Sequence, residues 1–309
     1  MEAPPSFPRA PWRDGPPPAG PDGYAAPVAS SDPVPRIALN NGVTIPQLGF
    51  GVFKVPPADT ERVTRQALEV GYRHVDTAEM YGNEEGVGRA VRASGIERQE
   101  IFVTSKLDNG FHPPERVAPA FQGTLAALDL DYVDLFLIHW PLPTLSVDYV
   151  DTWRAMEELL EGDRVRAIGV SNFQQAHVER VLAATDVVPA VNQIEVHPYL
   201  VQDPLREYDR QHGIVTEAWS PIARGGVLAD PAVTAVAAEV DRTPAQVVLR
   251  WHLQRGDVVF PKSTRAERME ENFHLFDFEL DPAQMAAISS LDRHQRTGPD
   301  PDTFAPVSG

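Results

Sequence analysis

Apolar runs rich in β-formers recur along the chain at a nearly regular interval: LGFGVF, HVDTA, IFVTSKL, VDLFLIHW, AIGVSNF, AVNQIEV, IVTEAWS and VVFPKS. Between them lie segments whose apolar residues follow helical spacing, as in ERVTRQALEVGYR, where Val63, Ala67 and Val70 share one face. Several helix ends are written into the sequence. Asn83 followed by Glu84 and Glu85 reads as an N-cap with acids in the first turn. Thr243-Pro244-Ala245-Gln246 and Asp281-Pro282-Ala283-Gln284 each combine a cap, a proline at the first helical position and a glutamine that reaches back. Gly71, Gly213 and Gly256 are placed as C-terminal stops.

The strands are nearly continuous apolar runs, the pattern of parallel strands covered on both faces. Eight of them alternating with helices predict an α/β fold, the (β/α)8 TIM barrel. A doubly wound open sheet fits less well, because the early glycines of GFG and GVG lack G-x-G-x-x-G spacing. Ahead of the barrel, RIALNNGVTIPQLG carries Asn41-Gly42 between two short alternating runs, which predicts a β-hairpin. Residues 1–35 are rich in proline, alanine and glycine and are expected to be a disordered tail, leaving 36–309 as a single barrel domain.

Composition narrows the function. Apolar residues make up 42% of the 309, enough for a sizeable core, and no apolar run reaches membrane-spanning length. There is no cysteine, so disulfides, thiolate metal sites and cysteine nucleophiles are excluded together. The N-terminus lacks the basic-then-apolar order of a secretory signal, and a cytoplasmic protein is expected. No long apolar seam calls for an obligate partner, so a monomer is expected. With 44 acidic and 27 basic residues, the net charge of −17 argues against nucleic acid as a partner. An anionic ligand must therefore be met by locally clustered cations.

In a TIM barrel the site lies at the C-terminal ends of the strands. Polar residues gather there: Asp76, Lys106, His139, Ser171, Asn172, Gln193, Trp219 and, after the last run, Lys262 and Ser263. Each alone has a bland reading, an aspartate as a helix cap or a histidine as a core residue. Their coincidence on one rim points to a site. Lysine occurs only at Lys54, Lys106 and Lys262, all other cations being arginine. A lysine kept at Lys106 fits a narrow place where a compact charge must approach one atom. No H-E-x-x-H, H-x-H or G-x-S-x-G spacing occurs, so neither a metal-dependent nor a serine hydrolase is expected, and no metal.

The motifs GYRHVDTAEMYGNE, FVTSKL, FLIHWP, GVSNF, NQIEVHPYL and FPKSTRAERMEEN together resemble the aldo-keto reductase family from about residue 36 onward, with its bacterial diketogluconate-reductase branch the nearest likeness. The resemblance implies NADPH-dependent reduction of a small aldehyde or ketone, an α-dicarbonyl or keto sugar among them. Asp76, Tyr81, Lys106 and His139 would be the catalytic tetrad, with Tyr81 as general acid and Lys106 lowering its pKa. Ser171, Asn172 and Gln193 would hold the nicotinamide carboxamide, and Trp219, where many members have tyrosine, would stack on the ring. Lys262, Ser263, Arg265 and Arg268 would embrace the 2′-phosphate, with Glu271 and Asn272 on the adenosine side. Phe53 and Trp140 would line the substrate pocket; Phe173 suits either pocket or core. The reading from another class is a nucleotide-binding regulatory module with little catalysis.

Overall fold

The computed structural model describes residues 27, 28 and 34–305. Most of the proline-rich segment expected to be a disordered tail lies outside them. Within that segment Pro27–Val28 (β1) pairs antiparallel with Arg36–Ala38 (β2). β2 in turn pairs antiparallel with Thr44–Pro46 (β3), Ile37 opposite Ile45. This is the hairpin predicted around Asn41-Gly42. Gly42 takes φ of +83°, a left-handed conformation that costs glycine little. The side chains of Asn40 and Asn41 donate to the carbonyls of Pro189 (3.0 Å) and Arg166 (2.9 Å). Those carbonyls lie at or before the starts of barrel strands, so the hairpin is fastened to the end opposite the expected site.

Eight further strands follow: Phe50–Gly51 (β4), His74–Asp76 (β5), Phe102–Leu107 (β6), Val133–Ile138 (β7), Val165–Ser171 (β8), Val191–Glu195 (β9), Val215–Trp219 (β10) and Val258–Val259 (β11). Neighbours in sequence are neighbours in the sheet, and every pair is parallel. The ring closes where Leu48 bridges Val259 and the Gly49 amide donates to the Val259 carbonyl at 2.7 Å. At this seam a Cβ on Gly51 would come within 2.8 Å of the Phe260 carbonyl oxygen, so glycine permits the closure. All six residues of β6 and of β7 are buried, which is why their sequences are largely apolar, with Thr104, Ser105 and Lys106 in β6 and Asp134 in β7 as the buried polar residues.

The helix ends follow the sequence with one exception. Thr243 and Gln246 form a reciprocal capping box, as do Asp281 and Gln284. Gly71, Gly213 and Gly256 all take positive φ just past a helix. Asn83 occupies the cap position of the helix Glu84–Ala93, but its side chain makes no cap bond. Its amide donates instead to the carbonyls of Val52 (3.0 Å) and Val55 (3.3 Å), while its oxygen accepts from Thr77. Asn83 therefore ties the loop after β4 to the loop after β5, which carries Tyr81.

Candidate active site

Asp76 ends β5, Lys106 lies in β6 and His139 follows β7. Tyr81 sits in the short turn Glu79–Tyr81 after β5. The Lys106 ammonium donates to both carboxylate oxygens of Asp76 and to the Thr77 carbonyl, each at 2.8 Å. These bonds use its three hydrogens. The Tyr81 hydroxyl stands 3.5 Å from the same nitrogen, a contact governed by charge more than by hydrogen bonding. The His139 ring meets the Tyr81 ring edge-on, centroids 5.8 Å apart. The four residues expected to act together are thus brought together.

Burial dominates their electrostatics. It pulls the Lys106 ammonium toward neutrality, but the fields of Asp76 and then Tyr81 outweigh it, and Lys106 is held charged more firmly than a free lysine. Burial also pushes the Asp76 carboxyl upward, against the opposing charge of Lys106. For Tyr81 the expectation that the ammonium sets a net lowering is corrected: Lys106 does act downward, but burial acts more strongly and the phenol ends above its ordinary value. The proton therefore stays on Tyr81 at neutral pH. Burial first, and Lys106 second, keep the His139 imidazole neutral, with a pKa well below that of a free histidine.

Ser171, Asn172, Gln193 and Trp219 form a connected group. The Ser171 hydroxyl donates to the Gln193 carbonyl (2.9 Å). The Asn172 amide, at φ +63°, donates to the His139 carbonyl (2.9 Å) and to the Ser171 oxygen (3.1 Å), and its oxygen accepts from the Trp219 indole (2.9 Å). Gln193 gives its two N–H bonds to Asp76 and Glu217, both at 2.8 Å, and its side-chain oxygen stays open among the described residues. Glu217, fully buried in β10, was not anticipated, though a glutamate inside the apolar run IVTEAWS is a signal that sequence reading could have weighed.

Lys262, Arg265 and Arg268 are exposed at the start of the helix Ala266–Phe273. Among the described residues none of the three forms an ion pair, so the adjacent Glu267, Glu270 and Glu271 do not neutralise them. Ser263 turns inward and accepts from the Arg265 amide (3.1 Å). Glu271 accepts a bond from Thr243 (2.6 Å), and Asn272 is buried on the same helix.

Phe53 is half exposed and packs on Tyr81, centroids 5.0 Å apart. Trp140 packs on Phe304 of the C-terminal segment at 4.4 Å. Phe173 is fully buried against Tyr149 and His177, which resolves it as core. Sequence reasoning did not find how the C-terminal segment is held. Glu195, at the end of β9, accepts from the amide (2.6 Å) and hydroxyl of Thr297, from the Gly298 amide (3.2 Å) and from His197. Gly298 lies so close to Trp219 that a Cβ would come within 2.4 Å of its ring.

Comparison with known proteins shows the family. The family described as Aldo/keto reductase family matches residues 47–293. An aldo-keto reductase of Mycobacterium sp. (strain JLS) is 51% identical over 270 residues, covering 87% of this chain and 98% of its own. The methylglyoxal reductase DkgA of Yersinia pestis is 46% identical over 273 residues, covering 87% and 97%. The crystal structure of a Gox0644 mutant in complex with NADPH superposes with a TM-score of 0.84 at 45% identity, covering 88% of this chain and 99% of that one. With the family matched over residues 47–293 and a relative half identical across nearly its whole length, the chain belongs to the aldo/keto reductase family.

Proposed function

We propose that this protein reduces a small aldehyde or ketone to the alcohol with NADPH, Tyr81 giving the proton. The observation that carries the reading is the contact of the Tyr81 hydroxyl with an ammonium that Asp76 holds charged and aimed. When bound, the reduced nicotinamide supplies a hydride to the carbonyl carbon. The developing alkoxide is met by Tyr81, which keeps its proton at neutral pH and has Lys106 beside it to stabilise the phenolate left behind. His139, neutral and with no acceptor for a hydrogen on Nδ1 among the described residues, carries its proton on Nε2 and orients the carbonyl oxygen.

The residues fit the cofactor. Lys262, Arg265 and Arg268, which form no ion pair among the described residues, offer charge to the 2′-phosphate, with Ser263 beside them and Glu271 and Asn272 toward the adenosine. The open oxygen of Gln193 suits an amide N–H, Ser171 and Asn172 flank it, and Trp219 offers an indole face. Among the described residues the exposed large apolar side chains are Phe53, Met80 and Leu145, all on loops that follow barrel strands. With Trp140 and Phe304 they suit a compact carbonyl compound with an apolar part. An α-dicarbonyl is the class we favour, supported by the likeness to a methylglyoxal reductase.

The test is Tyr81→Phe. The variant should bind NADPH as the parent does while losing methylglyoxal reduction by about 10²–10⁴-fold. Undiminished turnover removes Tyr81 from the chemistry. A parent protein that binds NADPH yet oxidises it with no aldehyde, ketone, dicarbonyl or keto sugar would instead be a nucleotide-binding module.

A further inference from the structure

The interior of the barrel holds a second carboxyl group that the tetrad does not account for. Glu217 is completely buried, and one of its oxygens accepts from Nε2 of Gln193 at 2.8 Å. The other hydrogen of the same Nε2 goes to Asp76, also at 2.8 Å. One amide nitrogen therefore spans the two carboxyl groups. Its orientation cannot invert without facing the Gln193 oxygen toward both of them. The remaining Glu217 oxygen has no hydrogen-bond partner among the described residues and lies 3.8 Å from Nε2 of His74.

We propose that Glu217 is a positioning residue for the reaction: through Gln193 it fixes the open amide oxygen toward the nicotinamide side, and its charge state tunes the Asp76–Lys106–Tyr81 relay. The proposal rests on the tetrad reading above. The charged and titratable groups around Glu217 are Asp76 and His74 on β5 and Lys106 on β6, with the polar Gln193 on β9 between them. Burial, and then the charge of Asp76, push the Glu217 carboxyl up to about 8, against Gln193 and Lys106. Burial keeps His74 neutral, with its pKa drawn down to about 3. Near neutrality Glu217 thus adds no charge beside the Asp76–Lys106 pair.

Above that value a second negative charge appears across Gln193 from the first. It faces the ammonium that Tyr81 depends on, and it disfavours phenolate. Tyr81 then becomes a weaker acid, and carbonyl reduction slows as pH rises through the Glu217 transition. An apolar residue would fill the same space without the cost of burying a carboxyl, which makes Glu217 a poor choice for stability alone.

The experiment compares the parent with Glu217→Gln, which keeps the shape and an acceptor oxygen but cannot ionise. The log kcat against pH is followed with NADPH and methylglyoxal. In the parent the alkaline decline should begin near pH 8, and in Glu217→Gln it should move up by one pH unit or more. Infrared spectra in heavy water give a second readout on the full chain. In the parent-minus-variant difference, which removes the shared contributions of other buried carboxyls such as Glu84 and Asp209, a protonated carboxyl band should be present at neutral pH and fade across the same transition. Profiles that superimpose, or a difference spectrum with no such band, overturn the proposal. Tyr81→Phe separates the two ideas. If it is inactive while the Glu217→Gln profile is unchanged, only the role of Glu217 falls; if it is fully active, the tetrad reading falls first.

Discussion

The Lys106 ammonium meets the two oxygens of Asp76 at 2.8 Å each, where neither side chain has appreciable contact with solvent. The bidentate approach fixes the nitrogen against the base of the site and leaves its charge, though none of its short bonds, to Tyr81. A buried pair of this kind is poor evidence for stability in itself. Breaking it by removing one partner is costly, because the other charge is stranded.

Asp76→Asn should therefore act on folding and on chemistry together. Asp76 is the largest influence holding Lys106 charged, against burial. Without it the ammonium loses its proton at lower pH, and Tyr81 loses the neighbour that favours phenolate. Urea denaturation should show a loss of about 3–5 kcal/mol, and kcat should fall by about 10²-fold or more. A variant with the parent's denaturation midpoint would show that the pair carries no such role.

Arg268→Ala addresses the cation cluster. A guanidinium that forms no ion pair among the described residues is available to a phosphate, and a charged hydrogen bond contributes about 1.5–3 kcal/mol. NADPH affinity should fall by about tenfold or more, while NADH affinity changes little. Fluorescence titration with each nucleotide measures both, and added salt should weaken NADPH binding more steeply in the parent than in the variant. Equal losses for the two nucleotides would place the phosphate elsewhere.

Much of this molecule was legible in its sequence for a simple reason. Strands covered on both faces are largely apolar, so VDLFLI and its counterparts announce themselves, and a polar residue ending such a run stands out. Asp76, Lys106 and His139, which the fold brings together, were singled out in that way, and Tyr81 by family likeness. What stayed hidden depends on partners distant in sequence. The Asn83 side chain leaves its helix to bond Val52 and Val55, which no cap rule foresees. The net direction at Tyr81 depends on how deeply the fold buries it, and a sequence records neighbours in type but not depth of burial. Glu195 meets Thr297 more than a hundred residues away, with no local pattern to show it.

His139 gives a prediction about pH. Burial, with the charge of Lys106 behind it, keeps the imidazole neutral far below the ordinary histidine range. The ring nuclei of His139 should thus show no titration between about pH 5 and pH 8, where an unperturbed histidine changes charge. Any acid limb of activity in that interval must come from another group. A chemical-shift titration with a midpoint near 6.5 would contradict the burial argument and make the residue a proton donor in its own right.

The C-terminal segment should come loose when Glu195 is altered. Its carboxylate gathers the Thr297 amide and hydroxyl, the Gly298 amide and His197, while Phe304 farther along packs on Trp140. Burial raises the Glu195 pKa, but these bonds outweigh it and the net direction is downward. A carboxyl depressed in the folded state contributes stability above its unfolded pKa of about 4.3 and loses it as pH falls through the lower folded value. Glu195→Ala should remove about 1.5–3 kcal/mol of that support. Limited proteolysis at neutral pH should then cleave the variant near residues 296–305 faster than the parent, and the KM for methylglyoxal should rise as Phe304 leaves Trp140. Identical cleavage rates would mean that the packing of Phe304 on Trp140 holds the segment without Glu195.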